Sequence, residues 1–544
     1  MWLIKERIHL KDLFSGSTKC LLVQTKFSAF SFWNYQDVCD IVGAKYPAAP
    51  LGLLTVAALF PQHWIFRLID ENVEPLLDEH FLWADIVCTG GMLPQQDSML
   101  AFIRRAHQMD RPVVVGGPDP SSQPDLYKEA EYLVLGEGEI TIPMFLDDLK
   151  KGKLTGRYCS EVRADMQKAV VPRYDLITFR NYIMIGLQFI RGCPFNCEFC
   201  DIIELYGRVP RYKSNAQVIR ELQFLYDLGY RGHIDMVDDN FIGNKRKVKE
   251  LLNEIKNWSQ RHKYPFYFTT EASVDLADDE ELLQLMKDVD FRYVFLGIET
   301  PENETLAINQ KKQNVNKPVE DAVLKLLSYG IVSNGGYIIG FDSESPRIAD
   351  HMIDSIQKSG ICMAMIGLLY ALPNTQLTRR LAAEGRLFQQ SSRTVSATDI
   401  DQMTSGLNFV TKIPRTRILS NYIRIIDSVF NSKNYYLRVV YTGLKIRPEY
   451  RHTPDLKTWL IYMRSFLRVC NVAGFSSATG LLYWKMFFTV IVRNPKGIEA
   501  AVNLAAMYIH FQKQKDYIIS ITQKMIADIE KTGEENFNLK MTRT

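Results

Sequence analysis

From residue 15 to about 150, short apolar runs alternate with longer stretches of helical period. "KCLLVQT" (19–25), "WIFRLID" (64–70), "ADIVCTGG" (84–91), "RPVVVGGPDP" (111–120) and "EYLVLGEGE" (131–139) read as buried strands, while "APLGLLTVAALF" (49–60) reads as a helix with a small-residue face. Apolar strands alternating with helices predict a parallel sheet with crossover connections, the α/β class, here Rossmann-like. Ligands of such sheets lie at the C-terminal strand ends. Gly90, Gly91, Gly116, Gly117, Gly136 and Gly138 fall at those ends. Turn geometry alone would explain one or two of these pairs. Three successive strands ending in them favour a large, flat ligand.

The alternation resumes over 180–390. "YIMIGLQFIRG", "HIDMVDDNF", "YFTTEASVD", "YVFLGIET", "NGGYIIGFD" and "MAMIGLLYALPNT" read as strands, with helical period in "NAQVIRELQFLYDLG" and "KVKELLNEIKNWSQ". Strands each followed by a helix predict a partial or complete β/α barrel, whose chemistry belongs at the C-terminal strand ends. Cys193–Cys200, Asp238, Asp239, Asn240, Ser273, Glu299 and the "GFD" turn fall there. Beyond about 410 the pattern is helical throughout, with arginine, lysine and aromatic residues among the apolar ones. The expected domains are 15–150, 180–390 and 411–544.

Composition narrows the class. With 47% hydrophobic and 23% charged residues, the 544-residue chain can fill several ordinary cores. Nine cysteines are too few, and odd in number, for a secreted disulfide scaffold. The start "MWLIKERIHLKDLF" breaks its apolar residues with charges, unlike a secretory leader, and "GLLYWKMFFTVIV" (480–492) is too short to span a bilayer and holds Lys485. The expectation is a cytoplasmic protein with reduced thiols. The net charge of +3 hides an asymmetry: from Thr411 onward 21 Lys and Arg face 9 Asp and Glu, a balance of +12. Such a tail meets a membrane surface or nucleic acid, or is a solvated helical face.

Three of the nine cysteines crowd into "RGCPFNCEFC" (191–200). A zinc site needs four ligands, usually paired CxxC units or added histidines. Here the spacing is C-x3-C-x2-C, with no fourth cysteine or histidine nearby in sequence. Three thiols on one loop after a strand suit a [4Fe-4S] cluster with one iron left open, with Cys193, Cys197 and Cys200 as ligands. Gly192 and Pro194 shape the loop, and Phe199 can shield the cluster from water. Cys20, Cys39, Cys88, Cys159, Cys362 and Cys470 are scattered and read mostly as core residues. Tyr206, Arg208 and Arg211 follow the loop and read equally as cofactor contacts or as surface.

A C-x3-C-x2-C motif after the first barrel strand resembles the radical S-adenosylmethionine (SAM) enzymes. The resemblance implies that SAM binds the open iron and is cleaved to a 5′-deoxyadenosyl radical. It places Asp238, Asp239 and Asn240 at the SAM amine, Ser273 and Glu299 at ribose and carboxylate, and "GGYIIGFD" at adenine. The glycine-ended strands upstream resemble the cobalamin domain of the B12-dependent branch. They depart from the DxHxxG type, because "DENVEP" (70–75) holds no histidine for cobalt. The likeness covers roughly 15–390.

Narrower still, "FSFWNY" (30–35), "GAKYPAAPLGLLTVAALFP" (43–61) and the basic helical tail resemble the hopanoid methylases, especially those acting at C-2. The resemblance implies methyl transfer to an unactivated sp3 carbon of a polycyclic lipid by radical and methylcobalamin, which needs no general base, so no catalytic acid or base is assigned. A reducing partner such as ferredoxin or flavodoxin is expected, with no nucleic acid, and the +12 tail predicts peripheral contact with the inner membrane face. Two rivals remain: a B12-dependent cyclisation or rearrangement, and a methylthiotransferase acting on nucleic acid. The latter would carry three further cluster cysteines in its N-terminal domain, where Cys20, Cys39 and Cys88 do not form such a set.

Overall fold

The computed structural model describes residues 17–27, 31, 34–388 and 403–543. The chain start and part of "FSFWNY" (30, 32 and 33) lie outside them. By contacts the chain divides into two units: 1–34, 45–193 and 202–230 form the first, and 35–44, 194–201 and 231–544 the second.

The first unit is built on β1 (Lys19–Gln24), β2 (Tyr46–Ala48), β3 (Ile65–Asp70), β4 (Ile86–Gly90), β5 (Val113–Gly116), β6 (Tyr132–Val134), β7 (Gly156–Tyr158), β8 (Tyr182–Leu187), β9 (Ile190–Arg191) and β10 (Arg211–Tyr212). Six strands make one parallel sheet in the order β3-β1-β4-β5-β6-β7. Consecutive residues of these strands face opposite sides, so the all-apolar runs feed two cores. Leu21, Val23, Val87, Val113 and Val115 pack with Phe81, Met99 and Phe102; Cys20, Leu22, Cys88, Val114 and Tyr132 pack with Ala57, Phe60 and Phe145. The sheet is therefore doubly wound, with its order reversing between β1 and β4, where such sheets hold ligands. β2 pairs in parallel with β8, and β9 pairs antiparallel with β10.

In the second unit β11 (Gly232–Met236), β12 (Phe266–Ala272), β13 (Phe291–Glu299), β14 (Val332–Ile339) and β15 (Ala364–Leu368) pair in parallel in chain order. Helices Lys245–Arg261, Glu280–Asp288, Val319–Ser328 and Ile348–Ser359 return between them, each burying one apolar face. The sheet curls into a parallel half-barrel, which decides between the partial and complete barrels that the sequence allows.

Helices Arg415–Val429, Ser432–Lys445, Leu456–Gly474, Gly480–Arg493, Ile498–Thr532 and Glu534–Arg543 complete this unit. Buried polar bonds fix them to the strands and helices before them. Tyr422 donates to the Ile366 carbonyl at 3.0 Å, Thr442 to the Gly360 carbonyl at 2.9 Å, and Arg438 to Gln357 at 2.8 Å. In Gly480–Arg493, Tyr483, Met486 and Val490 are buried while Leu481, Phe488 and Val492 are exposed.

Candidate cluster and cofactor site

The cysteine loop starts from a rigid base. Strands β9 and β10 clamp its two ends by pairing Arg191 with Arg211. Gly192 adopts φ +88°, and a Cβ there would lie 2.9 Å from the Gly207 carbonyl oxygen, so only glycine fits. Both arginines are held by acids from "LGEGE". Arg191 donates to Glu137 at 2.9 Å and to Glu139 at 2.9 and 3.0 Å, and Arg211 donates to the same Glu137 oxygen at 2.7 Å. The Glu137 side chain is 2% exposed, so each partner pays desolvation that only the pairing offsets. Arg211 also donates to the carbonyls of Ala164 and Tyr206; the described contacts give it this structural work.

The far part of the loop is anchored within the second unit. Glu198 accepts from Arg380 through both carboxylate oxygens, and its N–H donates to the Asn309 carbonyl. Phe199 stands edge-on to Phe341, ring centres 5.8 Å apart. Cys197 is buried, and burial raises its thiol above the usual range, while the Lys311 ammonium and Gln313 act to lower it. Gln313 Nε2 donates to Cys197 Sγ at 3.7 Å.

Lys311 was not legible as a site residue. Its ammonium meets Glu299 Oε1 at 2.6 Å, both side chains 11% exposed. The Glu299 carboxylate keeps that ammonium protonated against burial. Glu299 itself ends β13 at φ +68°, just past a register shift between Gly297 and Glu299. A bulge with a non-glycine residue in the left-handed region re-aims a side chain at a cost, and such strain collects at functional sites. Asn314 holds the bulge by donating to the carbonyls of Gly297 (2.7 Å) and Ile298 (3.2 Å). One segment, 311–314, thus ties the end of β13 to the Cys197 thiol.

The other barrel candidates divide. Asp238, Asn240 and Ser273 are buried and Asp239 half-buried. Asn240 donates to Ser273 Oγ at 3.4 Å, and Ser273 donates to Asp275 at 2.5 Å, so the ends of β11 and β12 are joined. Nearby, burial and the neighbouring Asp238 push Asp235 up to about 7. Carboxyls that are partly protonated near neutrality can donate as well as accept hydrogen bonds.

In the first unit the six glycines form a backbone ledge. A Cβ on Gly90 would sit 2.9 Å from the Gly116 oxygen, one on Gly116 2.7 Å from the Val134 oxygen, and one on Gly117 2.8 Å from the Gly91 nitrogen. A Cβ on Gly91 would meet Gln95, and one on Gly138 would touch Ile142 at 3.1 Å. Gly136, at φ +78°, faces open space. Side-chain-free ends of β4, β5 and β6, starting beside the switch point, fit a broad, flat group such as a corrin. The "DENVEP" turn spends Asp70 on bonds from Asn72 (2.7 Å) and Tyr182 (3.1 Å) and offers no histidine. His80 and His107 lie on helices, where His80 Nδ1 takes the Leu77 N–H and His107 faces Glu131.

The donor set of the loop can be tested against a metal. Among the described residues no three His, Cys, Asp or Glu side chains gather as ligands of a single ion. Cys193, Cys197 and Cys200 take part in no disulfide and lie on one loop, a set that fits a cluster taking one thiolate per iron. Of the remaining cysteines, Cys20, Cys39, Cys88, Cys362 and Cys470 are buried, as core residues are, whereas Cys159 is exposed.

A C-x3-C-x2-C loop together with a parallel half-barrel whose strands end in polar residues is the architecture of a radical SAM enzyme. The Radical SAM superfamily model matches residues 187–356, and a domain of unknown function (DUF4070) matches 375–524. An uncharacterized methyltransferase of Synechocystis sp. is 39% identical over 502 residues, 92% of each chain. The hopanoid C-2 methylase of Rhodopseudomonas palustris is 37% identical over 387 residues, 70% of this chain and 73% of its own. The chain belongs to the radical SAM methyltransferase family of these relatives. Its fold is that of two solved enzymes. The cobalamin-dependent radical SAM enzyme OxsB superposes with a TM-score of 0.58 at 15% identity, covering 97% of this chain and 82% of its own. TsrM, a radical SAM methyltransferase from Kitasatospora setae, gives 0.59 at 16% identity, covering 79% and 97%. No helix among the described residues is long and apolar enough to cross a membrane.

Proposed function

We propose that the protein is a B12-dependent radical SAM C-methyltransferase that methylates an unactivated sp3 carbon of a polycyclic lipid, the C-2 position of a hopanoid. The observation that carries the substrate is the 37% identity to a hopanoid C-2 methylase over 70% of this chain. The cofactors are the [4Fe-4S] cluster, SAM and cobalamin, which when bound supply a primary alkyl radical able to take a hydrogen atom from an unactivated carbon, and a methyl group to replace it.

The protein's part is binding and orientation. Cys193, Cys197 and Cys200 would hold the cluster, and Lys311 and Gln313 would temper the thiolate charge at Cys197. Asp238, Asp239, Asn240, Ser273 and Glu299 would receive SAM, with the Lys311 pair fixing the Glu299 carboxylate. Gly90, Gly91, Gly116, Gly117, Gly136 and Gly138 would let the corrin lie against backbone. The working domains are 15–150, 180–390 and 411–544. A one-electron donor of the ferredoxin or flavodoxin type serves the cluster, and the enzyme works at the cytoplasmic face of the membrane that holds its lipid.

Expression in a hopanoid-producing host that lacks its own methylase tests the reading. Hopanoids heavier by one methyl group, labelled from the methyl of methionine, are expected. Unmethylated hopanoids beside an expressed, cofactor-loaded enzyme would overturn the substrate while leaving the family intact.

A further inference from the structure

Between Asp455 and Glu499 the sequence holds no acidic residue, yet it carries Lys457, Arg464, Arg468, Lys485, Arg493 and Lys496. This stretch is the pair of helices Leu456–Gly474 and Gly480–Arg493. The two are tied to each other: Cys470 Sγ lies 3.2 Å from Tyr483 Oη, and the rings of Phe466 and Phe487 are 5.9 Å apart.

Each helix leaves an apolar stripe uncovered. Leu456, Leu460, Met463 and Leu467 follow i, i+4, i+7, i+11 spacing and are 38% to 74% exposed. Leu481, Phe488 and Val492, 59% to 85% exposed, follow the same spacing, with Lys485 in the missing position. A helix with water on such a stripe is out of place, because monomers rarely leave contiguous apolar surface of this kind uncovered. Exposed Arg464, Lys485, Arg493 and Lys496 accompany the stripes.

We infer that this hairpin is the membrane-docking element, lying on an anionic bilayer with its apolar stripes in the interface and its cations among the headgroups. The charge selects the occupant. A second copy of the same face would bring cations against cations, which is unfavourable, whereas anionic lipid neutralises them. Apolar side chains with basic neighbours and no acids are the composition of an interfacial helix. The inference deepens the membrane-surface part of the proposal above, but it does not depend on which lipid is methylated.

The test is flotation of the full-length, anaerobically reconstituted enzyme with vesicles of phosphatidylglycerol and phosphatidylcholine, against vesicles of phosphatidylcholine alone. Binding to the anionic vesicles at low salt, weakening as salt rises, is expected. Lys485→Glu with Arg493→Glu should weaken it roughly tenfold or more. Leu481→Ser with Phe488→Ser should also release the enzyme, and both pairs should keep wild-type SAM cleavage, which reports an intact barrel. Equal binding to neutral vesicles, or none to either, would overturn the inference using the unmodified enzyme alone. A dimer in light scattering that the serine pair disperses would assign the face to a second copy instead. Methyl transfer to detergent-dispersed lipid is read separately, so failure of docking and failure of the substrate assignment remain distinct.

Discussion

Two parallel sheets in this chain finish their strands in opposite ways. β4 and β5 end in paired glycines, and the turn after β6 carries Gly136 and Gly138, so backbone meets backbone and few side chains intrude. The strands of the half-barrel end in Asp238, Ser273 and a strained Glu299, each with polar neighbours. The first arrangement suits a large ligand recognised by shape, the second a small charged one recognised by hydrogen bonds and ion pairs. One sheet can therefore be damaged by adding a methyl group, the other only by removing a functional group.

The largest effect is expected at the thiols. Replacing Cys197 or Cys200 with Ala should abolish iron loading and 5′-deoxyadenosine formation, measured by iron content and chromatography, while the glycine-ended sheet keeps its cobalamin. Loss of cobalamin together with iron would break the contrast between the sheets. Next comes Glu137→Ala, which leaves Arg191 and Arg211 without their shared buried partner. Removing one member of a buried pair costs about 3–5 kcal/mol, visible as an earlier denaturation transition of the apoprotein. Smaller effects come from adding a Cβ to the ledge. Gly117, at φ +95° and ψ −179°, lies where essentially only glycine is found, so Gly117→Ala should cost about 1–3 kcal/mol and weaken cobalamin retention. Gly136→Ala meets only the left-handed penalty of about 1–2 kcal/mol, and its open surroundings should leave retention nearer wild type. Equal loss of cobalamin in both would mean that contact with the Gly91 loop does not shape the ledge.

The sequence makes legible what is local. The thiol spacing, the glycine pairs and the polar strand ends are each contained within a few residues of a recognisable strand, and the structure keeps them at strand ends. What stayed hidden is long-range. Lys311, Gln313 and Asn314 lie in "NQKKQNVNK", a polar stretch with no period, and reach Cys197 and the β13 bulge only through folding. Glu137 reads as one more acid beside glycines until Arg191 is brought to it across 54 positions. The left-handed Glu299 has no sequence signal either, because the bulge that creates it depends on pairing with β14. The uncovered stripes of the basic hairpin could be suspected from their spacing, but only packing tells which face is left bare.

The central claim is that hydrogen is taken from an unactivated lipid carbon by the radical made at the Cys193–Cys200 loop. Its most direct test is a hopanoid carrying deuterium at C-2, turned over by the reconstituted enzyme. With both C-2 positions deuterated, the account predicts 5′-deoxyadenosine that has gained one deuterium, together with a methylated hopanoid that has kept the other. A methylated product accompanied by 5′-deoxyadenosine free of deuterium would contradict it.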